Sequence, residues 1–324
     1  MIISTHSNHL AHAENFDRLR YVRRIAKSEE QNIPTTEVVN LGQVFGDDKT
    51  TRQFAERYFR VQYTDLLFAN AAIFVEGGAE RMLLPLFIER DFATLNSRYL
   101  SFLDIGGSHA HRLKSLVERL RIPTVIITDI DPVEERPGKP KKNGDPTTTL
   151  VAVANTGQPG LQCGNPTLRG WHPKLQQLED FKNPKDEHLV WNEIAECSVR
   201  FSWQLPVAEA GNQWPSTFED SLILRNIPWF KALRNEKVDD EGKQITPPKG
   251  ALVPVARQVA ENDKIPELLA ALHKLMHGSF NKGDFAASIF EMVAADEPIV
   301  CPKYIVDALE WLQTKPEPSK EVMP

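Results

Sequence analysis

The chain has 324 residues, 38 of them Lys or Arg against 44 Asp or Glu, for a net charge of −6 at pH 7. Hydrophobic residues at 41% and charged residues at 25% match an ordinary globular protein, and no apolar run approaches the ~20 residues of a membrane span, so a membrane protein is excluded. The acidic balance also removes any global basic signal for nucleic acid; the clusters Arg18, Arg20, Arg23, Arg24 and Lys139, Lys141, Lys142 permit phosphate contact without showing it. The N-terminal MIISTHSNHLAHAEN carries no basic segment followed by an apolar one, so no secretory signal is read and a cytoplasmic location is expected. Cys163, Cys197 and Cys301 form no C-x-x-C pair and are expected as ordinary thiols.

In chain order, Met1 to Ser4 reads as a strand, followed by a His-containing loop and extended pieces at Arg20 to Ile25 and Glu37 to Leu41. From Thr51 the pattern turns helical, with Phe54, Tyr58, Val61 and Gln62 at three-to-four spacing and the run reaching towards Leu67. A strand is expected at Ala72 to Val75, a helix at Ala79 to Phe92, and a strand at Tyr99 to Ile105 closed by Gly106-Gly107. Leu113, Leu116, Val117 and Leu120 fall on one face of an amphipathic helix. The run TVIIT (124–128) has the continuous apolar character of a strand buried on both faces, and it stops at Asp129-Ile130-Asp131-Pro132. This β-α-β-α-β series calls for an α/β fold with a mostly parallel central sheet, whose ligand site lies beyond the carboxyl ends of the strands. From Pro132 to about Gly160 the Pro, Gly, Lys and Thr content reads as a long mobile loop. Strand-like pieces recur at Leu189 to Trp191 and Val199 to Val207. Past a polar stretch from Asn235 to Gly250, helices are expected at Ile265 to Met276, Asp284 to Val293 and Tyr304 to Leu312, forming a smaller helical domain, and the terminal TKPEPSKEVMP should fray.

The segment AAIFVEGGAERMLLPLF (71–87) places Glu76 at the end of a strand that ought to be buried, where an ionised carboxylate costs several kcal/mol without a compensating partner. Asp129 and Asp131 occupy the equivalent end of another strand. Gly77 and Gly78 let the backbone turn sharply, and Glu80 can face the same side from the first helical turn. Four carboxylates gathered in one crevice repel unless divalent cations hold them together, and all-oxygen ligation selects Mg²⁺ or Mn²⁺ over zinc. Two such ions ~4 Å apart suit phosphodiester hydrolysis. A lone D-x-D also serves as a helix cap or turn start, and the VEGGAE turn upstream is what favours metal.

VEGGAE before an apolar helix, with a later strand ending TDIDP, resembles the TOPRIM fold shared by topoisomerases, DnaG-type primases and the OLD (overcoming lysogenisation defect) family of nucleases. The surrounding RYFRVQYTDLLFANAAIFVEGGAERMLLP is similar to the OLD family's approach to its TOPRIM domain. ISTHSNHLA resembles the His-loop ending an ABC-type ATPase, which OLD proteins carry upstream, and TFEDSLI (217–223) and NKGDFAASIF (281–290) also have counterparts there. The likeness covers most of residues 1 to 315. It implies a remnant or linker at 1–50, a TOPRIM catalytic domain at 51–235 and a helical domain at 236–324. It further implies Glu76, Glu80, Asp129 and Asp131 as metal ligands, Glu219 as an additional carboxylate, and Lys282 as the group that stabilises the transition state or protonates the leaving oxygen. The implied activity is a Mg²⁺- or Mn²⁺-dependent endonuclease, using two ions, that nicks and cuts DNA in phage defence. Its implied partners are DNA, an N-terminal ATPase and a UvrD-like helicase. Taken without the family, Glu219 and Asp220 also read as a solvated helix start and Lys282 as a surface lysine.

One departure is large: no G-x-x-x-x-G-K-[ST] is present, so the chain holds no ATP site, and it reads as the C-terminal half of a longer protein. His6, which would sense the γ-phosphate in such a protein, is expected to be idle here, and the His6/His9 pair is a weak metal motif. Three other readings compete. A topoisomerase or primase would need a marked tyrosine or template-binding modules, neither of which is found. A regulatory module would bind metal and DNA but cut only with its ATPase attached. A D-x-D phosphatase would use the first aspartate as a covalent nucleophile.

Overall fold

The computed structural model describes residues 2–25, 33, 35–46, 48–61, 64–106, 108–139, 145–155, 158–194, 196–234, 250–276, 278 and 280–316. Lys141, Lys142, Gly107, the stretch 235–249 with the expected domain boundary inside it, and residues 317–324 of the tail lie outside the described residues. The elements in order are α1 (Asn8–Ala13), β1 (Arg20–Ile25), β2 (Thr35–Asn40), α2 (Lys49–Val61), β3 (Ala71–Val75), α3 (Gly78–Asp91), α4 (Ala93–Asn96), β4 (Leu100–Asp104), α5 (Lys114–Leu120) and β5 (Thr124–Ile127). They continue with β6 (Pro132–Pro137), β7 (Thr148–Ala152), β8 (Gln162–Cys163), α6 (Pro166–Gly170), α7 (Asp186–Leu189), β9 (Val190–Trp191), β10 (Val199–Ser202), α8 (Phe218–Arg225) and α9 (Ile227–Arg234). The last four are α10 (Leu252–Glu261), α11 (Ile265–Met276), α12 (Lys282–Ala294) and α13 (Lys303–Gln313).

The central sheet has the strand order β4-β3-β5-β10-β9, in which the first four strands are parallel and β9 is an antiparallel edge. This is the mostly parallel α/β sheet the sequence calls for, flanked by helices and followed by a C-terminal helical region. Every residue of β3 is buried, because both faces of the sheet are covered. Alternation along the strand divides that burial: Ala71, Ile73 and Val75 join a core with α3 and the helices α8 to α13, whereas Ala72 and Phe74 join a second core with α5, Trp171, Trp191 and Trp203. The C-terminal helices therefore share one apolar core with a face of the sheet; α12 lies along α3, and α13 contacts β5 and β10. No helix among the described residues is long and apolar enough to cross a membrane.

Three expectations are corrected. Residues 2–7 contain no strand; the backbone runs irregularly into α1, which Ser7 caps by accepting from the Leu10 N–H. Nor is 132–160 simply a loop, since β6 pairs antiparallel with both β7 and β8 in a separate three-stranded sheet. Its prolines, Pro132 and Pro137, sit at the ends of β6, where a missing N–H costs little, and the β-branched Thr148, Thr149 and Val151 make the partner strand. The extended piece expected to run to Val207 ends at Ser202.

Candidate metal centre

Because β3 and β5 are adjacent and parallel, their carboxyl ends open on the same rim, and the acids that follow them meet there. One carboxylate oxygen each from Glu76, Asp129 and Asp131 lie within 4.8 Å of one another. Glu76 is held by its Oε2, which accepts from Thr128 Oγ1 at 2.6 Å and from the Asp129 backbone N–H at 2.7 Å. Asp131 has φ of 45°, a left-handed conformation that aspartate tolerates better than most residues, and it turns the chain out of β5 into β6.

The remaining expected residues line the same crevice at a different depth. Glu80, in the first turn of α3, is 5% exposed and feels the charges of Glu219 and Glu76, though it lies outside the tight trio. Glu219, also 5% exposed, stands in the first turn of α8, where Thr217 caps the helix. Lys282 opens α12, and its Nζ lies 3.1 Å from Glu219 Oε2. The chain thus brings all six expected side chains together from five elements, the ends of β3 and β5 and the first turns of α3, α8 and α12. Gly77 and Gly78 contribute differently from expectation: neither takes positive φ, and Gly77 (φ −148°) instead leaves room, since a Cβ there would stand 3.3 Å from Glu80 Oε2.

The electrostatics are those of an uncompensated acid cluster. Burial, followed by the charge of Asp131, pushes the Glu76 carboxyl up to about 7. Burial and the charge of Glu219 push Glu80 up to about 8. Asp129 is raised well above the ordinary aspartate value, first by burial and then by Glu76, Glu80, Glu219 and Asp131. Asp220, buried beside Glu219, is pushed to about 7 by burial and that neighbouring charge. Burial works against the Lys282 ammonium, but Glu219, through its charge and hydrogen bond, together with Asp129 and Asp220 outweighs it, and the pKa ends above the ordinary lysine value. An all-oxygen donor set on a rigid strand rim, carrying more negative charge than one lysine neutralises, fits a hard divalent cation.

Three side chains of the site were not anticipated: Thr128, Asn165 and Gln204. Asn165 and Gln204 are both fully buried and both hydrogen-bond to the Asp129–Asp131 loop. No spacing or motif marks an isolated Asn or Gln in a sequence; only the close approach of β8 and β10 to β5 reveals them.

Comparison with known proteins bears on the same region. Over 334 aligned residues the chain is 27% identical to Endonuclease GajA of Bacillus cereus (strain HuB5-5), an alignment that covers 98% of this chain and 43% of that protein. The chain therefore spans less than half the length of this curated relative. A solved structure of the C-terminal region of the Burkholderia pseudomallei OLD protein is 22% identical, covers 76% of this chain and 98% of its own, and superposes with a TM-score of 0.39. The family described as Overcoming lysogenization defect protein-like, TOPRIM domain, matches residues 67–131, a span that holds both the Glu76/Glu80 turn and the Asp129/Asp131 loop. The acid-bearing ends of β3 and β5 thus both lie inside the segment that matches the OLD-like TOPRIM model.

Proposed function

We propose that the chain is the catalytic part of a DNA endonuclease that hydrolyses phosphodiester bonds with Mg²⁺ or Mn²⁺. The observation that carries this reading is the convergence of Glu76, Asp129 and Asp131 oxygens within 4.8 Å at the carboxyl rim of a TOPRIM sheet. The alignment of nearly the whole chain with a protein named as an endonuclease supports it. Glu76, Asp129 and Asp131 would hold one ion, and Glu80 with Glu219 would hold a second beside it. Such ions supply electrophilic stabilisation of a scissile phosphate and lower the pKa of an attacking water.

The protein's own groups then have distinct tasks. The strand ends fix the carboxylates together, so that once they are ionised their mutual repulsion is relieved by bound cations. Lys282 keeps its proton at Nζ at neutral pH, being held above the ordinary lysine value, against burial, by Glu219 with Asp129 and Asp220. Sitting at the mouth of the crevice with its side chain 44% exposed, it can stabilise charge on a phosphate or pass a proton to the departing oxygen. In the complete protein this part would work beside an upstream ATPase, on the resemblance of ISTHSNHLA to an ATPase His-loop; the resemblance to OLD proteins is all that suggests the UvrD-like helicase.

The test is cleavage of supercoiled plasmid by the chain with Mn²⁺ or Mg²⁺. Relaxed and linear products are expected, with a rate loss on the order of 100-fold or more in Asp129→Ala, the scale seen when one electrostatic stabiliser is removed. A covalent protein–DNA adduct would move the assignment to a strand-passage enzyme. Intact supercoils despite measurable DNA binding would leave a metal- and DNA-binding module that needs its partner domain.

A further inference from the structure

The loop Asp129-Ile130-Asp131 has to present two carboxylates in fixed directions while its backbone turns through a left-handed residue, so something outside the loop must hold it. Two carboxamides do so from opposite sides, and each is 0% exposed. Gln204, just past the end of β10, accepts from the Ile130 N–H through Oε1 at 3.0 Å and donates from Nε2 to Asp129 Oδ1 at 2.5 Å and to the Tyr304 hydroxyl at 3.3 Å. Asn165, just past β8, donates from Nδ2 to Thr128 Oγ1 at 2.8 Å and to the Asp129 carbonyl at 2.7 Å, and reaches Asp131 Oδ2 at 3.5 Å.

Neither amide can be turned over. Asn165 Oδ1 is fixed by accepting from the Thr167 and Leu168 N–H groups at 2.9 and 3.2 Å at the start of α6, and Gln204 Oε1 is fixed by Ile130, so both NH₂ groups must face the acid loop. The Thr128 hydroxyl extends the chain of bonds: it accepts from Asn165 and donates to Glu76 Oε2. As a result one oxygen of each acid is anchored, Asp129 by Oδ1, Asp131 by Oδ2 and Glu76 by Oε2.

We propose that Asn165 and Gln204 are positioning residues that select which carboxylate oxygens of Glu76, Asp129 and Asp131 are offered to a divalent cation. The proposal rests on the reading of those acids as cation ligands. Partners of this kind orient metal ligands, and their loss typically weakens metal binding or activity by about 10- to 100-fold. Two substitutions withdraw the donors, Gln204→Met together with the oxygen that accepts from the Ile130 N–H, and Asn165→Ser with the cap of α6 retained. Gln204→Met preserves length and volume without an N–H, and Asn165→Ser keeps an oxygen able to cap α6 but is too short to reach the loop.

Calorimetric titration of Mn²⁺ into the full chain, with folding checked by circular dichroism, is the test; if one variant does not fold, the other decides. Each folded variant should bind Mn²⁺ about 10- to 100-fold more weakly. In plasmid cleavage the loss should fall on kcat with KM for DNA unchanged, and raising Mn²⁺ should restore kcat in the folded variants, a rescue that a smaller active fraction would not show. Arg98→Ala, which loosens the far end of α13, serves as the control and should leave Mn²⁺ affinity unchanged. Wild-type affinity in folded Gln204→Met and Asn165→Ser, or an equal loss in Arg98→Ala, overturns the proposal. A wild-type chain that binds Mn²⁺ and loses it in these variants, yet cuts no DNA, would remove the endonuclease reading and keep the positioning role; a wild-type chain that takes up no Mn²⁺ removes both.

Discussion

At the scale of single residues, Gly164 shows how little room the acid loop has. Its N–H donates to the Asp131 carbonyl at 2.7 Å, and a Cβ on it would lie 2.6 Å from Val133 Cγ1 and 2.7 Å from that same carbonyl oxygen. The obstacle is backbone, which cannot step aside as the end of a flexible side chain could, so the bare α-carbon is what lets β8 seat Asn165 against the loop. Gly164→Ala should cost about 1–3 kcal/mol in urea unfolding, the range for overpacking a filled site. It should also weaken Mn²⁺ binding, because the clash is relieved only by moving Asp131 or Asn165. A variant that unfolds at the wild-type urea midpoint would show that the loop has slack.

At the scale of elements, the far end of α13 depends on a residue from another part of the chain. Arg98, between α4 and β4, donates to the carbonyls of Leu312 (3.3 Å), Gln313 (3.0 Å) and Lys315 (2.9 Å) at and just past the helix end, of which Leu312 also accepts from the Lys315 N–H at 3.1 Å. A guanidinium at a helix C-terminus also meets the negative end of the helix dipole. Arg98→Ala should therefore destabilise the chain by about 1.5–3 kcal/mol, as for bonds to a charged group, measured by chemical unfolding. Amide exchange near 312–315 should rise while exchange in β3 stays slow. The elements legible in the sequence were those with one unambiguous period: Ile265 to Met276 is reproduced at both ends by α11, and the apolar runs of β3 and β5 fall where they were expected. The β6–β8 sheet was hidden because its prolines and lysines dominate the local composition, while its stability comes from pairing across 11 or more residues, which local pattern does not encode.

At the scale of the whole molecule, the acids of the candidate site were legible because strand ends and D-x-D spacing are local, whereas Asn165 and Gln204 became visible only when distant segments met. That meeting leaves the chain with a concentration of buried negative charge, and its stability should depend on pH accordingly. Glu76 (about 7) and Glu80 (about 8) sit above the ordinary glutamate value of 4.5, and Asp129 is also raised. Between about pH 4.5 and 8 the folded chain therefore keeps protons that the unfolded chain has released, so stability without metal is greatest below that window and falls as pH rises through it. His111 and His172 act in the opposite sense, since burial lowers both and the folded chain releases their protons first. Their contribution is the same with and without divalent ions, so the comparison between the two conditions isolates the acids. Melting curves in EDTA and in excess Mg²⁺ at pH 5, 6.5 and 8 are the measurement. The Mg²⁺-induced rise in Tm should be small at pH 5, where protons already neutralise the carboxylates, and largest at pH 8, where cations alone can. A rise that is equal at all three values, or largest at pH 5, would mean that the ions bind somewhere other than this rim.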